Sequence, residues 1–155
     1  MKDLGQMHYF LGLEVWQRLG EIFLSQGKYA VDILRIFGMM DLQSMTTPME
    51  ANLKKLRDSA SDSDLVDPTM YRQLIGSLMY LVNTRPDICF AVSTLSQFMV
   101  EPRHLHWVAA KHILRYLRGT VGYGLRYISG GEVGLHGYTD SDWAGMINPQ
   151  IRLIN

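Results

Sequence analysis

The stretch "DPTMYRQLIGSLMYLVNTRPDICFAVSTLSQFM", residues 67–99, carries two apolar rows at helical spacing, each opened by a proline. In the first row Tyr71, Leu74, Ile75, Leu78, Leu81 and Val82 share one helical face, behind an Asp67-Pro68 start. In the second, Ile88, Ala91, Val92, Leu95 and Met99 share a face behind Pro86. A third segment, "EPRHLHWVAAKHILRYLRG" at 101–119, turns Trp107, Ala110, Leu114 and Leu117 inward after Pro102. Proline at the first helical position sacrifices no hydrogen bond, so all three read as helix starts. Gly76 and Ser77 are expected to admit a close neighbour. The short links imply three antiparallel helices packed as one lobe.

Outward from that lobe the period changes. In "YFLGLEVW", residues 9–16, Tyr9, Leu11, Leu13 and Val15 alternate with Phe10, Gly12, Glu14 and Trp16, which predicts a strand. A turn at 18–20 and a returning "EIFLSQ" complete a hairpin. "KYAVDILRIFG" then places Tyr29, Ala30, Ile33, Leu34 and Phe37 on a helical face, with Gly38 as the stop. Beyond Gly119, "GLRYI" and "LHGYTDSDW" read as two strands joined through Gly130-Gly131. The expected fold class is therefore α+β: a β-hairpin plus helix (1–38), a three-helix lobe (68–120) and two terminal strands (121–145). Residues 39–67, with "DSASDSD" at 58–64, read as a solvated, mobile linker between lobes. Residues 146–155, interrupted by Pro149, are expected to form a disordered tail.

Composition narrows the classes. A chain of 155 residues with 47% hydrophobic and 10% aromatic content is globular rather than disordered. Zero formal net charge removes any global polyelectrolyte signal. Locally, though, Arg103, Lys111, Arg115, Arg118 and Arg126 run through 103–126 without an acid. The single Cys89 excludes a disulfide framework and is expected to be a small core residue. No apolar run approaches the roughly 20 residues of a membrane span, and the start lacks a signal-peptide layout, so no membrane partner is expected. The five histidines show no zinc-ligand spacing.

Two constellations could carry chemistry. His104, Lys111, Arg115 and Arg118 stack into one helical stripe. Such a row is either a solvated polar face or a track for phosphates, since like charges repel unless an anion is near. Asp140 and Asp142 share one strand face with His136 and Tyr138. Two such acids could contribute to a hard divalent cation site, or serve as a turn or cap.

Five words, "MKDLGQMHYFLGLEV", "LSQGKYAVDIL", "YRQLIGSLMYLVNTRPDICFAVSTLSQFM", "HWVAAKHILRYLRGT" and "GYTDSDWAG", together resemble the reverse transcriptase region of copia-type retrotransposon polyproteins. They occur in that family's order and span residues 2–145. The resemblance implies that Phe10, Leu11 and Gly12 lie on the hairpin that grips the primer, and that 68–118 resemble thumb and connection helices. It implies that Lys111, Arg115 and Arg118 meet an RNA–DNA primer–template. Asp140 would correspond to the leading aspartate of ribonuclease H, in a metal site left incomplete here. The family's chemistry uses Mg2+ held by palm aspartates, including a Tyr-Val-Asp-Asp turn that this sequence lacks. Both chain ends are accordingly expected to be cut, with no cofactor held by this chain. Three readings follow: a degenerate element remnant without activity, a non-catalytic nucleic-acid-binding module, or a subunit completing a separately encoded palm alongside the rest of the polyprotein.

Overall fold

The computed structural model describes residues 5–50, 56 and 64–130. Asp67 and Pro68 start a helix as the sequence predicts. The Asp67 carboxylate accepts the Thr69 backbone N–H at 2.8 Å, satisfying one orphan donor of the first turn. Helix α1 is Gly27–Ile36, α2 is Pro68–Leu81, α3 is Cys89–Ser96 and α4 is His104–Gly119. A 3-10 turn, Pro86–Ile88, leads into α3. The inward faces are those of the 3.6-residue period: Tyr71, Leu74, Ile75, Leu78 and Leu81 on α2, and Ala91, Val92 and Leu95 on α3. Ala30, Ile33 and Leu34 of α1 enter the same core, so α1 packs with the three later helices rather than apart from them. Tyr71 is fully buried and donates its hydroxyl to the Leu95 carbonyl at 2.8 Å, and burial pushes its phenol pKa up.

Three local expectations change. The third helix begins at His104, outside Pro102, because a side chain rather than proline caps it: His106 Nδ1 accepts the Arg103 N–H at 3.0 Å. Cys89 is exposed, because it falls about 100° from the buried row of Ile88, Ala91, Val92 and Leu95. Gly76 has nothing near where a Cβ would sit, and Ser77 returns its hydroxyl to the Gln73 carbonyl, so neither admits a neighbour.

The strands form one antiparallel sheet in the order β1-β2-β3-β4: Tyr9–Phe10, Leu13–Arg18, Glu21–Ser25 and Gly124–Ile128. The continuous strand read over 9–16 is two strands. Phe10 pairs with Leu13 across a two-residue turn in which Leu11 (φ 48°) and Gly12 (φ 80°) are both left-handed. Positive φ at both turn positions matches the strand twist of tight hairpins, and glycine adopts it without cost. The "GLRYI" strand joins the hairpin: β4 pairs with β3 from Glu21↔Ile128 to Ser25↔Gly124. A Cβ at Gly124 would collide with the Leu24 backbone carbonyl, so that pairing needs glycine. Arg126 clasps Glu21 through two bonds of 2.8 and 2.9 Å. The strand expected at 135–143, like the expected tail, lies outside the described residues. The α+β class holds: among the described residues a four-stranded antiparallel sheet lies beside the four helices named above. Among the described residues no helix is long and apolar enough to cross a membrane.

Candidate nucleic-acid interface

The turn that carries the predicted contact residues projects from the sheet. Phe10 and Leu11 are 51% and 75% exposed, so both present apolar side chains to solvent. At Gly12 a close approach is made from within the chain. The Tyr80 hydroxyl of α2 donates to the Leu11 carbonyl at 2.7 Å and occupies the space that a Gly12 Cβ would need.

Lys111, Arg115 and Arg118 do lie along α4, and two of them already have acceptors. Arg118 Nε donates to the Met40 carbonyl at 2.5 Å and Arg115 Nε to the Gln43 carbonyl at 2.8 Å. His112 Nε2 contacts the Thr47 carbonyl at 3.0 Å, and the Met45 N–H returns to the Arg115 carbonyl at 3.2 Å. Residues 112, 115 and 118 recur at one helical face, while their acceptors run backwards from 47 to 43 to 40. The described part of the expected linker, 39–50, is therefore a strap laid antiparallel along α4. Carbonyl dipoles relieve the repulsion within the row. Each guanidinium carries five N–H donors and uses one on the strap. Lys111 lies over the Trp107 ring at 5.3 Å, and His104 at the head of the row is exposed.

His106, which the sequence did not single out, is a structural residue. With Nδ1 accepting from Arg103, Nε2 carries the proton and donates to the Leu56 carbonyl at 3.0 Å. Its ring stacks on Phe98 at 3.8 Å. Burial holds its pKa below the ordinary histidine value; the Leu56 bond opposes that, and Arg103 adds to it.

A second group also escaped the sequence reading. The Arg85 side chain is 2% exposed and anchors the α2–α3 connection to the end of α4. It donates twice to Asp87 (2.9 and 2.7 Å) and twice to Thr120, at the carbonyl (2.9 Å) and the hydroxyl (2.6 Å). Its guanidinium sits 5.7 Å from the Tyr116 ring centre and 5.4 Å from that of Tyr123. Tyr116 donates its hydroxyl to Asp87 at 2.8 Å. Burial alone would raise the Asp87 pKa, but the bonds from Arg85 and Tyr116 outweigh it and hold the carboxyl below its ordinary value. The only sequence signal was an Arg and an Asp flanking Pro86, which reads equally well as turn chemistry.

Among the described residues no group of three or more His, Cys, Asp or Glu could hold a metal ion. Asp140 and Asp142, the metal-ligating candidates, lie outside the described residues.

The described site is thus an exposed apolar hairpin turn braced on a helical lobe, with a cationic helix beside a strap. Against known proteins, the chain is 45% identical over 145 residues to the retrovirus-related Pol polyprotein from transposon RE1 of Arabidopsis thaliana, covering 94% of this chain and 10% of that protein. It is 39% identical over 155 residues to the corresponding polyprotein from transposon TNT 1-94 of Nicotiana tabacum, covering 96% of this chain and 12% of the relative. An uncharacterized mitochondrial protein of Arabidopsis thaliana is 42% identical over 145 residues, and the chain spans 59% of its length. No protein-family model matches, and no solved structure gives a significant match. Nearly the whole chain is therefore similar to a segment of transposon Pol polyproteins, about a tenth of their length.

Proposed function

We propose that this chain is the primer-holding segment of a copia-type reverse transcriptase and acts by binding an RNA–DNA hybrid without performing chemistry itself. The observation that carries the reading is the Phe10–Gly12 turn, held on the same helical body as the cationic row of α4. An apolar turn can lie against sugars while spare guanidinium and ammonium donors meet phosphates, a division of contacts that favours shape over sequence. Polymerisation and template cleavage by Mg2+ would belong to other parts of a polyprotein. The described residues offer no donor set for that metal, so no step runs through it here. A second reading, a stand-alone remnant without selected activity, is favoured by the likeness to the mitochondrial protein of which the chain spans 59%.

The readings separate by fluorescence anisotropy of a labelled RNA–DNA primer–template across a salt series. Three phosphate contacts from Lys111, Arg115 and Arg118 predict a log–log slope of roughly −2 to −3. Replacing all three with Ala should flatten it. Absence of a slope in the wild type, or its survival in the triple variant, supports the remnant reading.

A further inference from the structure

We propose that Tyr80 is a positioning residue that latches the exposed hairpin turn onto the helical lobe, and so sets where Phe10 and Leu11 stand relative to α4. The role in nucleic-acid binding rests on the function proposed above; the latch itself rests on geometry alone.

Contacts from both ends of this side chain support the latch. Its hydroxyl donates to the Leu11 carbonyl at 2.7 Å, between residues 69 apart in sequence. Its ring is held edge-on by Tyr29 of α1, with centroids 5.0 Å apart and planes at 84°. Gly12 leaves open the volume the hydroxyl fills, which any larger residue would close. Tyr80 thereby touches the turn, α1 and α2 at once.

The turn needs such a support. β1 is a two-residue strand at the edge of the sheet, paired with β2 through Tyr9↔Glu14 and Phe10↔Leu13. Leu11 has φ 48°, a left-handed conformation that a branched side chain rarely adopts and that persists only where its surroundings over-determine it. The surroundings here are the Tyr80 bond on one side and the Val15 N–H to His8 carbonyl bond of 2.9 Å on the other. Tyr80 is followed by Leu81, which is fully buried, so the helix that carries the latch is fixed in the core.

The test is Tyr80→Phe in the full chain, which removes only the hydroxyl and keeps the Tyr29 contact. By NMR, the Leu11 carbonyl 13C resonance should move while carbonyls of α2 and α4 stay, and amide exchange over 8–15 should quicken about fivefold, as expected for one net hydrogen bond. The urea midpoint should change little, because the core is untouched. Unchanged Leu11 carbonyl shift and unchanged exchange would overturn the latch; so would a uniform rise in exchange across the whole protein, the mark of a general packing role. A second arm measures RNA–DNA hybrid binding, where the variant should bind about three- to tenfold more weakly. If the wild type binds the hybrid and the variant binds it equally well, the positioning role in binding fails; if the local signature appears but the wild type does not bind, the latch stands and the proposed binding function fails.

Discussion

Replacing Arg85 with Met should unfold the protein at markedly lower denaturant, and the structure sets the size of the loss. The guanidinium is almost wholly buried and makes four hydrogen bonds, two to Asp87 and two to Thr120. Removing one partner of a buried pair costs about 3–5 kcal/mol, chiefly because the other is left uncompensated. Asp87 is 32% exposed and keeps the Tyr116 bond, so the lower end applies, about 3 kcal/mol. That is a large share of the roughly 5–15 kcal/mol that stabilises a domain, and it lowers a urea midpoint by about 1–2 M. The double variant Arg85→Met, Asp87→Leu should lose less than the two single changes summed, with a coupling of about 1–3 kcal/mol. The pH dependence follows with a definite sign. The folded Asp87 pKa lies below its unfolded value, so its contribution is present above about pH 4 and is lost as pH falls through the folded value. Arg85→Met should remove that acid limb. Chemical denaturation followed by circular dichroism reads all three variants. A wild-type midpoint in Arg85→Met, or strict additivity in the double variant, would show that Arg85 and Asp87 do not stabilise the fold as a coupled pair.

His106 predicts a second pH effect: its folded pKa is depressed, so stability is full above about pH 6.5 and declines below it. The urea midpoint at pH 5.5 should fall below that at pH 7.5, and His106→Gln should shrink the difference. Gly12→Ala forces a Cβ into the Tyr80 hydroxyl at φ 80° and should cost at least about 1 kcal/mol, with disturbance of the 9–14 pairs visible by NMR. Arg115→Gln with Arg118→Gln should free the strap, raising amide exchange over 40–47 about tenfold, with Met45 among the first to respond.

The helices were legible because their apolar rows repeat at 3.6 residues over ten or more positions, and tertiary packing uses that same face. Tyr71, Leu74, Ile75 and Leu78 are buried as the spacing demands. The turn at Leu11-Gly12 was not legible. "YFLGLEV" alternates as well as any strand, and only the second turn position carries a turn residue. The reversal also changes which residues share a face: Phe10 pairs with Leu13, and Tyr9 with Glu14. The strap at 39–50 has no period of its own. Its order comes from α4 side chains more than sixty residues away, a long-range cause no local window contains. For the same reason β4 gave no sign of its partner β3, about a hundred residues upstream. The cationic row was visible as charge, but its engagement with strap carbonyls was not. Cys89 misled because its neighbours are apolar, yet it falls off the buried row of Ile88, Ala91, Val92 and Leu95.

If the hairpin turn and the α4 row contact one nucleic-acid hybrid, as proposed, titration of 15N-labelled protein with an RNA–DNA duplex should register both. The backbone amides of 10–12 and the side-chain Nε–H signals of Arg115 and Arg118 should shift together, with a single dissociation constant that weakens as salt rises. Shifts in only one of the two groups, different constants for the two, or no shift in either would contradict the proposal.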